Sequence, residues 1–291
     1  MQEAFNLVLP AKNEARNLDR LLPEIKTALP TAEIIVVDDG STDDTVQVCV
    51  DHDVRCVSHP YSMGNGAAIK SGARHATRDV IVFMDADGQH RPEDVPNLLT
   101  RLDVGGYDMV VGARASDTQA SIGRKLANGF YNRLASRMVG QRVEDLTSGF
   151  RAVRTDKFRQ FLLLLPNGFS YPTTITMAFF RSGFSVGYVP IRARKRGGNS
   201  HIRPLHDGFR FLIIIFRIGT LYSPLKLFVP ISAVFFALGM VRYLYTFLVR
   251  GQFSNMSALL FSTSVLVFLI GLVSEQITTL LYSTRTTDQD S

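Results

Sequence analysis

The sequence predicts an α/β fold, a mostly parallel sheet covered by helices on both faces, followed by an interfacial helix and a two-helix membrane hairpin. Three observations predict it. Short apolar runs alternate with amphipathic stretches through the N-terminal two thirds; polar, glycine-bearing motifs follow the apolar runs; and the chain after Ser223 is almost continuously apolar.

Phe5 to Leu9 reads as a short buried strand, and Ile34 to Val37 as a second; between them Glu14 to Leu29 reads as a helix with Leu18, Leu21, Leu22 and Ile25 on one face. Asp38-Asp39-Gly40-Ser41 is a turn, after which Ser41 or Thr42 is placed to cap a helix running through Val50. A strand near Val54 to Val57, a helix from Asn65 to Ala76, the strand Val80 to Met84, a helix from Pro92 to Leu102 and the strand Met109 to Val111 continue the alternation. Ligands bind such sheets at the carboxyl ends of the strands. Pro10-Ala11-Lys12-Asn13-Glu14, Asp38-Asp39-Gly40-Ser41, Asp85-Ala86-Asp87 and Gly112-Ala113-Arg114 each follow a strand and are expected on one rim.

Leu225 to Leu248 and Ser257 to Tyr282 each exceed the roughly 20 apolar residues that cross a bilayer. The short connection between them carries only Arg250, whereas Arg181, Arg192, Arg194, Lys195, Arg196, Arg203, Arg210 and Arg217 precede the first span, so the arginine-rich side is expected in the cytosol with both chain ends. Charged residues throughout the first twenty positions leave no apolar signal-peptide core there. The expected organisation is a cytosolic domain at 1–207, an amphipathic juxtamembrane helix at 208–223, spans at 224–248 and 257–282, and a cytosolic tail at 283–291. Arg242 is expected to snorkel from the outer end of the hairpin. For Glu275, nearer the cytosolic end, a subunit contact and the neighbouring Gln276 are both open as partners, and assembly into a dimer or tetramer is expected.

The chain carries a net charge of +6 and a pI near 9.4. Its arginines gather just before the apolar segment, without any nucleic-acid-binding signature, which favours anionic headgroups and phosphates over DNA or RNA as partners. Cys49 and Cys56 lack metal-ligand spacing and read as buried free thiols.

The motif Asp85-Ala86-Asp87-Gly88-Gln89-His90 ends a buried strand with two carboxylates one residue apart. Two readings stand: an ordinary turn stabilised by its own backbone bonds, or a site where a hard divalent cation meets a diphosphate. Asp38 and Asp39 can accept hydrogen bonds from a nucleobase or ribose, or close a helix-capping turn. Glu14 can favour a helix dipole or, with Pro10 and Ala11, frame a nucleoside pocket. Ser62-Met63-Gly64-Asn65-Gly66-Ala67-Ala68 opens a helix and is expected to offer backbone N–H groups to a diphosphate.

These motifs, together with Asp145-Leu146-Thr147-Ser148-Gly149-Phe150-Arg151, resemble glycosyltransferase family 2, and more narrowly its dolichyl-phosphate mannose synthase and polyprenyl-phosphate glycosyltransferase branch; the likeness spans residues 5 to 217. The resemblance implies a GT-A (Rossmann-like) catalytic domain, Mg²⁺ or Mn²⁺, and inverting transfer of a hexose from a nucleotide-diphosphate sugar, GDP-mannose or a UDP-hexose, to dolichyl or undecaprenyl phosphate at the cytosolic membrane face. It implies Pro10, Ala11, Glu14, Asp39 and Lys70 around the nucleotide, and Asp85, Asp87 and Gln89 at the metal and diphosphate. Arg114, Arg124 and Asn128 then approach the reacting phosphates, with Arg196 in a basic loop, Arg194 to His201, that closes over the donor. Members often have lysine where His201 stands. Asp145 is either an orienting carboxylate or the cap of the Thr147-Ser148-Gly149 turn.

A processive polysaccharide synthase of the same superfamily is excluded, since its Gln-x-x-Arg-Trp motif needs a tryptophan and the chain has none. A nucleotidyltransferase would have a glycine-rich, arginine-containing loop where Pro10 to Glu14 stand. A catalytically silent membrane adaptor that binds nucleotide sugar or lipid phosphate, and a transferase using another lipid acceptor, are the remaining alternatives.

Overall fold

The computed structural model describes residues 4–114, 122–168, 171–191, 220 and 223–287, with backbone alone at 122–128, 130 and 281–287. It divides into two compact units, Met1–His201 and Ile202–Ser291. The expected domain end at 207 and nearly all of the expected helix at 208–223 lie outside the described residues.

The first unit runs β1 (Phe5–Ala11), α1 (Ala15–Ala28), β2 (Ala32–Asp38), α2 (Thr45–Asp51), β3 (Arg55–Ser58), α3 (Asn65–His75), β4 (Val80–Phe83), a 3-10 turn (Pro92–Asp94) leading into α4 (Val95–Val104), β5 (Met109–Arg114), α5 (Ile122–Val139), β6 (Arg151–Arg154), α6 (Thr155–Arg159), α7 (Tyr171–Arg181) and β7 (Val186–Ile191). These strands form one sheet in the order β3-β2-β1-β4-β6-β5-β7. Every pairing is parallel except those of β6, which is antiparallel to both β4 and β5. The expected alternation through β5 holds, with element ends displaced by a few residues.

Both faces of β1 are covered, so Phe5, Leu7, Val8 and Leu9 are all buried and the strand reads as a continuous apolar run. The apolar stripe of α1, Leu18, Leu21, Leu22 and Ile25, is buried in the same core, each side chain contributing about 1.5–3 kcal/mol. On the other side α3 approaches β1 closely, because a Cβ on Gly72 would stand 2.3 Å from Val8 Cγ1.

The topology makes the rim. β1, β2, β4 and β5 point their carboxyl ends the same way, with Ala11 opposite Asp38 and Val8 opposite Phe83. Because β6 is antiparallel it starts at that rim, with Arg151 paired to Phe83 and to Val111. The segment before it, 145–150, is therefore inserted between the ends of β4 and β5.

The second unit contains two long helices, α8 (Pro224–Arg250) and α9 (Asn255–Thr287), which pack as a hairpin through a connection at 251–254. α8 starts at the expected 224 and runs past 248, and α9 runs past both 257 and 282. Gly251 adopts φ 64° and returns its N–H to Phe247 O, closing α8 with a left-handed cap. Ser232 and Ser264 clasp mid-span, each hydroxyl donating to the other residue's carbonyl at 3.0 and 2.9 Å, and Gly239 and Gly271 admit Phe261 and Phe228. Both helices are long and apolar enough to cross a membrane, and only 22% and 17% of the two spans is buried, unlike core helices. Glu275 has a partner not foreseen: its Oε2 accepts the Leu225 N–H at 3.3 Å, in the first turn of α8, where helical N–H groups lack internal acceptors.

Candidate active site

The first two rim loops lock to one another. Asn13 takes φ 55°, a left-handed conformation that asparagine tolerates. Its N–H donates to Ser41 Oγ and its Oδ1 accepts from Thr42 N, both at 2.8 Å. Asp43 accepts from Ala15 N and Thr45 N at 3.1 Å, and Glu14 N donates to Thr45 Oγ1. The expected capping of α2 by Ser41 or Thr42 is thereby corrected: the helix starts later, at Thr45, because both residues are engaged by Asn13.

Asp38 is buried under this turn and accepts from Ser41 N at 3.0 Å. Asp39, 4% exposed, takes four donors: Met63 N at 2.7 Å and His59 Nδ1 at 2.8 Å on Oδ1, Ser62 Oγ at 2.8 Å and Gly64 N at 2.9 Å on Oδ2. Burial pushes this carboxyl up, but those donors outweigh it and hold the pKa below the ordinary value. Lys12 Nζ extends the chain by donating to Ser62 Oγ at 2.9 Å, and His59 Nε2 meets Ser71 Oγ at 2.8 Å. Asp39 thus fixes the wall at 62–64.

The glycine-rich turn differs from expectation. Gly66 N donates to Gly168 O, Ala67 N to Asn167 O and Gly64 N to Asp39, so these N–H groups are spent within the protein instead of being offered to a diphosphate. Its glycines admit the 166–168 backbone: a Cβ on Gly66 would lie 2.0 Å from Pro166 O, and Gly64 (φ 102°) would meet Asn167 O at 2.5 Å. Gly66→Ala is expected to destabilise the fold by about 1–3 kcal/mol, read by denaturant unfolding, since a backbone carbonyl cannot rotate aside. Lys70 belongs to the same junction. Its ammonium donates to Leu165 O and Asn167 Oδ1, outside the cleft lining, and burial followed by repulsion from Arg74 lowers its pKa.

A cleft of about 310 Å³ opens between these loops. Pro10, Ala11 and Glu14 from the first loop, Asp39 from the second, and Asp85, Ala86 and Asp87 after β4 line it; Lys12, Ser62 and Asn65 also line it. Gln89 donates to Asp87 through its backbone N–H at 3.1 Å and its side-chain amide at 2.5 Å. Asp85 Oδ2 faces His90 Nε2 at 3.6 Å. No group of three or more His, Cys, Asp or Glu side chains among the described residues encloses a metal. The donor set nevertheless fits Mg²⁺ or Mn²⁺. Such hard cations are commonly held by one or two carboxylates, with substrate phosphates and water completing the shell, and Asp85 and Asp87 supply two partly exposed carboxylates at the cleft. The geometry gives Gln89 the task of orienting Asp87.

At the end of β5, Arg114 forms a two-pronged pair with Asp145: Nε to Oδ2 at 2.9 Å and Nη2 to Oδ1 at 3.1 Å, with Nη2 also donating to Thr147 Oγ1 at 2.7 Å. Asp145 additionally accepts Thr147 N and Ser148 N, so it both caps the turn and orients the arginine. Helix α5 delivers it, since Asn132 accepts Leu146 N and donates to Glu144 O. Burial raises the Asp145 carboxyl, but Arg114 and the Thr147 N–H overcome this and hold it below its ordinary value. For Arg114 burial acts downward, and the Asp145 pair more than reverses it.

The backbone of α5 carries Arg124 and Asn128, whose side chains lie outside the described set; Arg196 and the Arg194 to His201 loop lie wholly outside it. Sequence reasoning assigned no role to Lys12, Ser62, His59, His90 or Arg151. Lys12, Ser62, His90 and Arg151 stood inside motifs already singled out, whereas nothing local flagged His59.

Residues 7–162 match the family model for glycosyl transferase family 2, and 223–280 match that for the GtrB C-terminal hairpin. An undecaprenyl-phosphate 4-deoxy-4-formamido-L-arabinose transferase of Klebsiella pneumoniae is 36% identical over 159 residues, covering 51% of this chain and only 48% of the relative's own length. An undecaprenyl-phosphate mannosyltransferase of Micrococcus luteus is 31% identical over 201 residues, 63% of this chain and 81% of the relative. Among solved structures, glucosyl-3-phosphoglycerate synthase of Mycobacterium tuberculosis, in complex with Mn²⁺, UDP and glucosyl-3-phosphoglycerate, aligns with a TM-score of 0.59 at 22% identity, over 74% of this chain and 78% of that one. At that identity the likeness is one of fold.

Proposed function

Because the chain belongs to glycosyltransferase family 2, with a mixed sheet of GT-A type, we propose that it transfers a hexose, with inversion, from a nucleotide-diphosphate sugar to a polyprenyl phosphate at the cytosolic membrane face. The observation that carries this reading is the pairing, on one rim, of a carboxylate-lined cleft with the Arg114–Asp145 pair. The C-terminal hairpin and the two undecaprenyl-phosphate-using relatives support the lipid acceptor.

Pro10, Ala11 and Glu14 frame the nucleoside, with Asp38 and Asp39 fixing the turns around it. Asp85 and Asp87 would hold Mg²⁺ or Mn²⁺, which would neutralise charge on the departing diphosphate. A phosphate monoester is already anionic at neutral pH and attacks the anomeric carbon without a strong base. What remains for the protein is in-line positioning and stabilisation of the phosphates. Arg114 does this in an orientation set by Asp145; Arg124 and Arg196 add charge at the acceptor end. The membrane spans are proposed at 224–248 and 257–282, with 1–207 and the tail at 283–291 in the cytosol.

The test is release of nucleoside diphosphate by the full chain in detergent, with polyprenyl phosphate, a panel of GDP- and UDP-sugars, and Mg²⁺ or Mn²⁺. A silent adaptor releases none. Arg196→Ala is expected to raise the KM for polyprenyl phosphate about tenfold, equivalent to about 1.4 kcal/mol, while leaving donor binding near wild type. Loss of membrane attachment as the sole defect would instead assign Arg196 to headgroup attraction.

A further inference from the structure

The two cleft carboxylates are held by different devices. Gln89 secures Asp87. For Asp85, the imidazole of His90 is the one cationic or titratable nitrogen within ion-pair reach among the described residues. His90 is 6% exposed, and its ring is stacked on Phe150 at 4.9 Å and 15°. Its Nδ1 is buried without a hydrogen-bond partner among the described residues, while Nε2 faces Asp85 Oδ2. A neutral imidazole has one ring proton, and a carboxylate opposite Nε2 favours the tautomer that carries it there. The 3.6 Å separation is longer than a formed hydrogen bond, as polar contacts at active sites often are before the ligand is bound.

The same oxygen is confined from another motif. A Cβ on Gly149 would lie 3.2 Å from Asp85 Oδ2, and Tyr171 Oη holds the Gly149 carbonyl at 3.1 Å. Phe150, on which His90 stacks, is the next residue. The 145–150 segment thus reaches Asp85 by two routes, one through the Gly149 backbone and one through the His90 ring.

Building on the metal reading of the proposed function, we propose that His90 is a positioning residue that sets the direction of the Asp85 carboxylate for the divalent cation and donor diphosphate. Replacement of groups that orient metal ligands typically costs 10–100-fold in metal affinity or activity. His90→Phe retains a ring for the Phe150 stack and removes the N–H; His90→Gln retains a donor and removes the ring.

The experiment is equilibrium dialysis of labelled UDP and of labelled GDP against the full chain in detergent at stepped Mn²⁺ concentrations, for wild type, His90→Phe, His90→Gln and Asp87→Ala, with melting temperatures recorded alongside. The Mn²⁺ concentration at half-maximal nucleotide binding is expected to rise about tenfold in His90→Phe without a matching loss of melting temperature, and to return most of the way in His90→Gln. Asp87→Ala loses the Mn²⁺-dependent component. An unshifted midpoint in His90→Phe, or a His90→Gln variant as impaired as His90→Phe, overturns the assignment of His90 alone. Nucleotide binding by wild type that ignores Mn²⁺ overturns the metal reading beneath it.

Discussion

Replacing Asp87 with alanine is expected to abolish the proposed sugar transfer, to below about a thousandth of the wild-type rate, while leaving the protein folded. Neutralising the departing diphosphate is worth several kcal/mol in the transition state, and about 4 kcal/mol corresponds to roughly three decades in rate. The structural cost is smaller. Asp87 is partly exposed at the cleft, and its removal deprives the Gln89 N–H and amide of an acceptor, a loss of about 1–3 kcal/mol at most. Asp87→Asn separates the two effects, because it keeps an oxygen for Gln89 and loses the charge. It is expected to melt with wild type and to fail in transfer almost as completely. Retained turnover with normal metal dependence in either variant removes Asp87 from the site.

Replacing Arg114 with methionine is expected to destabilise the first unit by about 3–5 kcal/mol, the cost of stranding a buried charge. The Asp145 side chain is only 9% exposed, and its strongest partners are the two prongs of Arg114. The effect depends on pH with a definite sign. The folded pKa of Asp145 is lowered, so the pair stabilises fully above the ordinary carboxylate value of about 3.9 and this contribution is lost as pH falls through the lower folded value. Without Arg114, burial of Asp145 is no longer opposed by the guanidinium and disfavours the ionised form. The difference between wild type and variant is therefore widest near pH 7 and narrows below about pH 4. Urea unfolding at a series of pH values measures it, and a difference that is flat with pH, or widens in acid, contradicts the assigned role of the pair. Asp145→Asn leaves the turn a neutral acceptor and is expected to cost less stability while still disorienting Arg114.

The order of elements through β5 was legible because β1, β4 and β5 are short, largely buried apolar runs and α1 and α4 each show one apolar stripe. β6 was not. It has four residues bracketed by Arg151 and Arg154, and Arg151 is fully buried, its guanidinium donating to Ser148 O, Pro172 O and Thr176 Oγ1. An arginine in sequence reads as surface, so the one antiparallel strand, which carries the 145–150 segment into the rim, was hidden from hydrophobic patterning. β7 went unplaced as well, with proline and tyrosine interrupting its pattern.

Within the site, the motifs were legible because chemistry-bearing residues stand at strand ends, and seven of the expected residues line one cleft. Their division of labour was not, because it depends on partners far along the chain. Asp39 is filled by His59 and the 62–64 segment, the N–H groups at Gly66 and Ala67 are taken by 167–168, and Glu275 meets the Leu225 N–H across the hairpin. Glycine in a sequence marks close approach without saying whether a phosphate or another stretch of backbone makes it.

The most direct measurement is stoichiometric: nucleoside diphosphate released against glycosyl-lipid formed, by the full chain in detergent with its best nucleotide sugar, with and without polyprenyl phosphate and Mn²⁺, for wild type and Asp87→Asn. The predicted result is one nucleoside diphosphate per glycosyl-lipid, with inverted anomeric configuration, only when lipid phosphate and Mn²⁺ are both present and only in wild type. Equal release without lipid phosphate, or transfer by Asp87→Asn at the wild-type rate, would contradict a metal-assisted transfer to a lipid phosphate at this rim.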